Sequence, residues 1–227
     1  MLLIVEIALA LAYGVLAHLA AAWRSDVLSL AALLALVAML LAAPIAARRA
    51  WSWLVLPLLV GAAFWLYGAG HAGVPLLLVP VAFVLLIAWM FGRTLRHGRT
   101  PLITRIVLAL EGGPDAPLAP ELIAYTRALT AFWAVLLVLL ALLNLGLAAI
   151  ATPDGLLASL GVTPPVSITR TQWSWFANLA NYGIVGGAFI GEYAWRSRRF
   201  PNRYTSFADF LRRMGGLGPA FWRDLLR

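Results

Sequence analysis

Long apolar stretches dominate the chain and alternate with short turns that carry arginine, proline or glycine. A helix needs about 20 mainly apolar residues to cross the roughly 30 Å hydrocarbon core of a bilayer. Stretches that meet this requirement lie at about 2–22, 28–46, 51–67, 74–92, 129–150 and 173–194. The pattern therefore predicts an all-α, polytopic membrane protein with about six transmembrane helices.

The lengths of the connections divide the chain into four parts. The first four stretches are joined by turns of only a few residues, so we expect antiparallel neighbours. The first stretch carries Glu6 and lacks a basic start, which favours an uncleaved span over a signal peptide. The predicted parts are a four-helix transmembrane half (1–92), a basic cytoplasmic loop (93–128), a transmembrane hairpin (129–194) with its outer loop (151–172), and a basic cytoplasmic tail (195–227).

Composition and charge set the environment and the orientation. Hydrophobic residues make up 63% of the 227 residues and charged residues 11%, which is too apolar for a water-soluble domain. All 17 basic residues are arginine; with the N-terminus inside, 15 fall in inner segments, against Arg24 and Arg170 outside. The positive-inside rule then places both termini in the cytoplasm and accounts for the net charge of +8 without nucleic acid. The alanine, leucine and arginine bias is typical of a GC-rich bacterial genome, so we expect a bacterial inner membrane.

The basic cytoplasmic loop contains an amphipathic segment. Thr100 and Pro101 predict a helix start, with threonine as the N-cap and proline in the first position. An apolar stripe follows from Leu102 to Leu110, while Arg105 stays on the polar side. This pattern predicts a helix that lies along the inner membrane surface. A second helix is predicted to start at Pro120 and to continue into the fifth span.

Shorter amphipathic elements are predicted in the outer loop and in the tail. Residues 156–160 are expected to form one helical turn at the outer interface. Ser206 and Asp209 resemble a capping box that opens a tail helix, and Pro219 opens another. Aromatic residues between arginines in this tail are typical of an anchor on anionic lipid.

The last predicted span has one polar face and one glycine face. Gly183, Gly187 and Gly191 recur every four residues and share one side of the helix. Small residues at this spacing let the backbone of a neighbouring helix approach closely. We therefore assign these three glycines to helix packing.

A polar cluster is predicted in the outer leaflet. Asn144 and Asn178 lie at matching depths, roughly 7–9 Å below the interface, with Asn181 deeper and His18 shallower. The cluster is either a pocket for a polar substrate group or a set of interhelical hydrogen bonds, each about 0.6–2 kcal/mol. The second interpretation is favoured because asparagine commonly joins helices in bundles.

A second cluster is predicted at the cytoplasmic side. Glu6 and Glu192 lie near the inner ends of the first and last spans, and Glu192 can pair with Arg196 one turn away. An acid within a span is a functional candidate, so these two are the best catalytic candidates, although an ion-pair network that fixes helix ends explains them equally well. The surrounding basic surface is predicted to consist of Arg93, Arg96, Arg99, Arg105, Arg127, Arg196, Arg198 and Arg199.

The sequence contains no signature of a metal or cofactor site. Cysteine is absent, which excludes disulfides, thiolate metal sites and attached c-type haem. The three histidines, His18, His71 and His97, offer no pair at compatible depths for haem. Short signatures of zinc proteases, serine hydrolases and phosphate-binding loops are also missing. We expect no cofactor and no metal.

Several motifs in the last 140 residues together resemble a known family. The motifs are FGRTLRHGRTPLITR (Phe91–Arg105), YTR (Tyr125–Arg127), WSWFANLANY (Trp173–Tyr182) and GEYAWRSRRFP (Gly191–Pro201), followed by SFADFLRR. They are similar to uncharacterised bacterial inner-membrane proteins encoded among aryl-polyene and xanthomonadin-type biosynthesis genes, some labelled ketosynthase. The resemblance implies a role beside fatty-acid-like synthesis on acyl carrier protein. Ketosynthase chemistry itself needs a cysteine nucleophile, which this chain lacks.

Three functions remain open from the sequence. The favoured one is an accessory or scaffold protein whose arginine-rich surface meets anionic lipid and docks acyl carrier protein or acyl-processing enzymes. The others are a small carrier or flippase for a lipid-linked or aromatic product, and an integral membrane transferase that uses Glu192 as a general base. The oligomeric state is left open by the sequence.

Overall fold

The chain is predominantly helical. The computed structural model describes residues 2–113, 116–153, 155–169 and 181–199, together with residues 172, 175, 176, 212, 215, 216, 218 and 221. The helices are α1 (Leu2–Trp23), α2 (Asp26–Ala46), α3 (Ala50–Gly68), α4 (Val74–Arg93), α5 (Leu102–Leu110), α6 (Pro120–Ile150), α7 (Leu156–Ser159) and α8 (Asn181–Arg199). The strands β1 (Ala151–Thr152) and β2 (Ile168–Thr169) form a two-stranded sheet.

Within the described ranges, five helices are long and apolar enough to cross a membrane: α1, α2, α3, α4 and α6. Large apolar side chains on these helices remain exposed, such as Leu54 and Trp65 on α3. Exposed apolar surface of this extent indicates lipid contact. The helices therefore bear out the prediction of an all-α, multi-pass membrane protein.

The sixth predicted span, 173–194, falls only partly on described residues. Its second half corresponds to α8, which begins at Asn181 and continues beyond 194 to Arg199. Most of its first half lies outside the described residues, so the sixth crossing stays a prediction. Most residues of the tail helices predicted from Ser206 and Pro219 also lie outside them, so these helices stay predictions.

Contacts divide the chain into two compact units. Unit 1 comprises Met1–Pro80 and Ala148–Ile168, and unit 2 comprises Val81–Leu147 and Thr169–Arg227. In unit 1, α2 packs against both α1 and α3, and its buried residues lie along one face. The apolar core of this unit is formed by Leu33, Ala63 and Ala72, with Leu30, Leu34 and Leu76 packed around it.

Helix α6 forms the longest element of unit 2. As predicted, the helix that starts at Pro120 continues without interruption into the fifth span. Its 31 residues extend about 45 Å at 1.5 Å per residue, which exceeds the roughly 30 Å hydrocarbon core. The helix is therefore longer than a perpendicular crossing of the core requires. Within this unit, its buried residues form one stripe: Leu122, Thr126, Thr130, Ala134, Leu137, Leu140, Ala141 and Asn144.

The start of α5 differs from the prediction. The helix begins at Leu102, and Pro101 occupies the N-cap position without a side-chain hydrogen bond, so Thr100 is not the cap. Instead, the Leu102 N–H donates to Thr94 Oγ1 at 2.9 Å, and the Ile103 N–H donates to Thr130 Oγ1 at 3.3 Å. Proline offers no side-chain acceptor, so threonines brought in from other segments satisfy the first N–H groups.

We call Thr94, Thr104, Thr126 and Thr130 the threonine junction. All four are buried, and the hydroxyls of Thr104 and Thr126 lie 2.7 Å apart. None of the nine residues of α5 is exposed. Helix α5 is thus packed within unit 2. Its predicted position along the membrane surface stays a prediction.

Candidate functional site

Glu192 lies at the centre of a polar contact between α6 and α8. The Tyr125 hydroxyl donates a hydrogen bond to Glu192 Oε1 at 2.6 Å. Arg196 Nε donates to the same oxygen at 2.8 Å, so the ion pair expected from the one-turn spacing is present. The side chains of Glu192 and Arg196 are 11% and 17% exposed. Hydrogen bonds to charged groups in such shielded surroundings are about twice as strong as neutral ones.

Aromatic rings pack beside this polar contact. The ring of Tyr125 lies 5.1 Å from that of Trp195, measured between centroids. Further along the same two helices, Trp133 and Phe189 are 6.1 Å apart. We call Tyr125, Glu192, Trp195 and Arg196 the α6–α8 cluster. It combines apolar contact with a neutralised charge pair and so fixes the two helices at this level.

Arg127 connects the basic loop to α6. Its guanidinium Nη2 donates to the Leu95 carbonyl at 2.9 Å, while the side chain remains exposed. Arg93 stacks over Trp89 at 4.8 Å, and Arg199 stacks over Trp195 at 5.6 Å. These contacts hold the arginine side chains in defined positions.

All eight arginines of the predicted basic surface belong to unit 2. Their burial divides them into two groups. The exposed arginines are Arg96, Arg99, Arg127, Arg198 and Arg199. The half-buried ones are Arg93, Arg105 and Arg196. The exposed group is available to an external partner, whereas the half-buried group contributes to the unit's own packing.

The predicted polar clusters are distributed between the units. Glu6 is half-buried on α1 in unit 1, whereas Glu192 belongs to unit 2. His18 is exposed on α1. Asn144 is buried in unit 2, where its Nδ2 donates to the Leu140 carbonyl at 2.8 Å. Asn178 lies outside the described residues, and Asn181 is the first residue of α8. The outer-leaflet cluster therefore stays a prediction.

The glycine face of α8 is open. Among the described residues, a Cβ added at Gly183, Gly187 or Gly191 would meet no atom within 4 Å outside its own helix. Among the described residues of unit 2, no other helix therefore packs closely on that face. Their assignment to helix packing stays a prediction.

The sequence did not point to the hydroxyls that matter most here. Local sequence patterns give Tyr125 and Thr126 no role beyond the YTR motif, yet both make contacts that join elements. A usable signal was the spacing of Thr126 and Thr130, which share one face of an otherwise apolar helix. In the part of the chain that the structure describes, no group of three acidic or histidine side chains could hold a metal ion.

Comparison with protein families, with curated proteins and with solved structures finds no match to this chain. What the protein does is therefore inferred from the residues of unit 2 and the contacts among them. Two features stand out there: the shielded α6–α8 cluster, and the exposed arginines of the same unit.

Proposed function

We propose that the protein is an integral scaffold of the bacterial inner membrane that holds an acidic soluble partner against the cytoplasmic face. The support comes from the five exposed arginines of unit 2. A surface of one charge sign attracts partners of the opposite sign and speeds their encounter. Arginine also suits carboxylates and phosphates, because its planar group can donate two parallel hydrogen bonds.

The observation that carries the proposal is that the arginine-bearing segment is fixed in place. Thr94 caps α5 at one end of this segment, and Arg127 holds the Leu95 carbonyl from α6. A segment already ordered in the free protein loses less conformational entropy when a partner binds.

The contacts within each unit are consistent with six spans and two cytoplasmic termini. In unit 1, His71 contacts Ser159, which joins two segments assigned to the outer side. In unit 2, Arg127 contacts Leu95 within the predicted cytoplasmic loop, and Tyr125 of the same loop contacts Glu192 near the inner end of the last predicted span. Each hydrogen bond thus connects segments that the proposed topology places on the same side.

The partner that we propose is an acyl carrier protein or an enzyme that processes acyl chains on it. This choice follows the family resemblance, which implies fatty-acid-like or aryl-polyene synthesis beside the membrane. Acyl carrier proteins are acidic, so their surface complements the exposed arginines. The scaffold would keep growing apolar chains close to the bilayer that receives them.

A binding experiment tests the scaffold. The protein is reconstituted in nanodiscs of zwitterionic lipid, and the binding of acyl carrier protein is measured at increasing salt concentration. The scaffold predicts binding that weakens with salt, and a loss of about tenfold or more when Arg96 and Arg99 are both changed to Gln.

A matched charge change elsewhere supplies the control. Arg48 and Arg49 are exposed arginines in unit 1, and their replacement by Gln lowers the net charge with little expected effect on binding. Equal losses in both variants would mean that only net charge matters. Absence of binding in the unaltered protein would remove the scaffold proposal for this partner.

The transferase alternative makes a different prediction at Glu192. If Glu192 were a general base, its replacement by Gln would abolish product formation and leave partner binding intact. In the scaffold, Glu192 ties α8 to α6 through Tyr125 and Arg196. Glu192→Gln would then lower stability, while any product formation by the bound partner would continue.

A further inference from the structure

Helix α2 ends in a Schellman motif just before the turn to α3. The Arg48 N–H donates to the Ile45 carbonyl at 2.9 Å, and the Arg49 N–H donates to the Pro44 carbonyl at 3.0 Å. This pair of bonds is common at helix ends and places the residue after the cap in the left-handed region. Arg48 occupies that position, with φ of 53°.

The end of α3 has the same hydrogen bonds but a different residue at the left-handed position. Gly70 has φ of 71°, and its N–H donates to the Tyr67 carbonyl at 3.0 Å. The His71 N–H donates to the Leu66 carbonyl at 2.8 Å. Glycine adopts this conformation at no steric cost, whereas the Cβ of arginine crowds the following carbonyl oxygen. The turn after α2 therefore carries an arginine where glycine would be less strained.

Contacts within the described part of the chain do not offset this strain. There, the guanidinium groups of Arg48 and Arg49 make no hydrogen bond or ion pair, and both side chains are exposed. The other left-handed arginine among the described residues, Arg24, does interact with the chain. A cation stabilises a helix C-terminus, but Arg49 already supplies one beside Arg48. Strain without an internal contact that offsets it indicates a function outside the chain.

Backbone hydrogen bonds hold both arginines in place. In addition to the two N–H groups, the carbonyl of Arg49 accepts from the Ser52 hydroxyl at 2.6 Å and from the Ser52 N–H at 3.0 Å. Ser52 is fully buried. The two guanidinium groups thus extend from a backbone that is already ordered, so less conformational entropy is lost when a ligand binds.

Two tryptophans indicate the depth of this turn in the membrane. Trp51 and Trp53 lie in the first turn of α3, a helix long and apolar enough to cross a bilayer, and both are exposed. Exposed indole rings at the end of a spanning helix favour the level of the lipid headgroups. The neighbouring side chains of Arg48 and Arg49 are therefore within reach of headgroup phosphates.

We propose that Arg48, Arg49, Trp51 and Trp53 form a headgroup site, which binds the phosphate of an anionic phospholipid. Arginine suits this ligand because its planar group donates two parallel hydrogen bonds to phosphate oxygens. The positive charge of the two arginines favours an anionic lipid over a zwitterionic one. The headgroup site lies in unit 1 and is independent of the proposed partner binding by unit 2, which is measured without anionic lipid.

Quenching by spin-labelled lipid tests the headgroup site. The chain has no cysteine, so Ala46→Cys, at an exposed position two residues before Arg48, takes a single fluorophore. The labelled protein is placed in phosphatidylcholine nanodiscs that contain a small fraction of doxyl-labelled phosphatidylglycerol or, in parallel, doxyl-labelled phosphatidylcholine. We expect stronger quenching by phosphatidylglycerol. Replacement of Arg48 or Arg49 by Gln should each lower the relative association constant of this lipid roughly fivefold.

A matched charge change and a second label position supply the controls. Arg96→Gln with Arg99→Gln removes two charges from unit 2 and should leave the quenching at the Ala46→Cys label unchanged. A label at Ala69→Cys, exposed at the other end of α3, should show no preference between the two lipids. The headgroup site is overturned by equal quenching with both lipids at Ala46→Cys, or by equal losses in the two double arginine variants.

A glycine variant separates lipid binding from backbone strain. Arg48→Gly and Arg48→Gln both lose the charge, but only glycine relieves the left-handed backbone. We therefore expect both variants to lose the preference for phosphatidylglycerol equally, and Arg48→Gly to have the higher unfolding midpoint in zwitterionic detergent. A midpoint no higher than that of Arg48→Gln, or a retained lipid preference in either variant, contradicts the proposal.

Discussion

At Glu192, one carboxylate oxygen accepts two hydrogen bonds, one from the Tyr125 hydroxyl and one from Arg196. An acidic side chain this shielded needs compensation, because an unpaired charge in apolar surroundings is costly. Arg196 supplies the opposite charge from the same helix. Tyr125 lies on α6, so its hydrogen bond to Glu192 holds the Glu192–Arg196 pair of α8 against α6.

Removal of that hydroxyl should weaken the contact between the helices. We expect Tyr125→Phe to lower the free energy of unfolding by about 1–3 kcal/mol, the usual worth of a hydrogen bond to a charged group. Thermal or denaturant unfolding in detergent measures this change. Tyr182→Phe is the control, because Tyr182 is 76% exposed. Equal stability of the two variants would mean that the Tyr125 contact contributes nothing.

The threonine junction permits a second test at a single residue. Thr94→Val keeps the shape of the side chain but leaves the buried Leu102 N–H without its acceptor. An unsatisfied buried donor costs about 1–3 kcal/mol. Thr100→Val, at an exposed position nearby, should leave stability unchanged. Denaturant unfolding of the two purified variants provides the comparison, and similar midpoints would contradict the capping role of Thr94.

At the scale of elements, α5 shows where a local pattern misleads. The sequence around Thr100 and Pro101 fits a common helix start, yet the helix begins at Leu102. Its first N–H groups are satisfied by Thr94 and Thr130, the second of which lies 27 residues away along the chain. Acceptors supplied over such separations leave no trace in a local capping pattern.

Two glycine substitutions distinguish a crowded backbone position, Gly155, from an open one, Gly187. A Cβ at Gly155 would collide with the backbone carbonyls of Ala151 and Ala148, so we expect Gly155→Ala to destabilise the protein by about 1–3 kcal/mol. At Gly187 the described surroundings are open, and alanine is the better helix former, so Gly187→Ala should stabilise by about 0.5–1 kcal/mol. Unfolding midpoints measured in detergent test both predictions.

The result at Gly187 also bears on assembly. A loss of stability or of oligomer size in Gly187→Ala would mean that another helix occupies the glycine face in the membrane. Size-exclusion chromatography with light scattering on the same sample distinguishes that outcome from a defect in folding.

At the scale of the whole molecule, the arginine distribution predicts which loops face the cytoplasm. Because the chain contains no cysteine, each loop can be tested with one introduced thiol. His97→Cys should be protected from a membrane-impermeant maleimide in intact spheroplasts, and Leu160→Cys should be labelled. The opposite pattern would reverse the topology and place the exposed arginines outside, which is incompatible with a cytoplasmic scaffold.

Much of the candidate site could be anticipated from the sequence, and some of it could not. The pairing of Glu192 with Arg196 depends on helical spacing alone, so it could be predicted from the sequence. The contribution of Tyr125 depends on how α6 lies against α8, which spacing within one helix cannot reveal. Among the described residues, no helix packs on Gly187. A glycine pattern permits close approach of a helix but does not specify which helix approaches.

The sequence by itself determined that the chain forms long apolar helices, because the length and composition of each stretch must match the thickness of a bilayer. It also determined where charge accumulates along the chain. Tertiary structure alone decided that Thr94 and Thr130 cap α5, that Tyr125 joins Glu192, and that His71 reaches Ser159. These contacts join residues up to 88 positions apart, and a hydrogen bond depends on distances of a few tenths of an ångström that only the packed helices set.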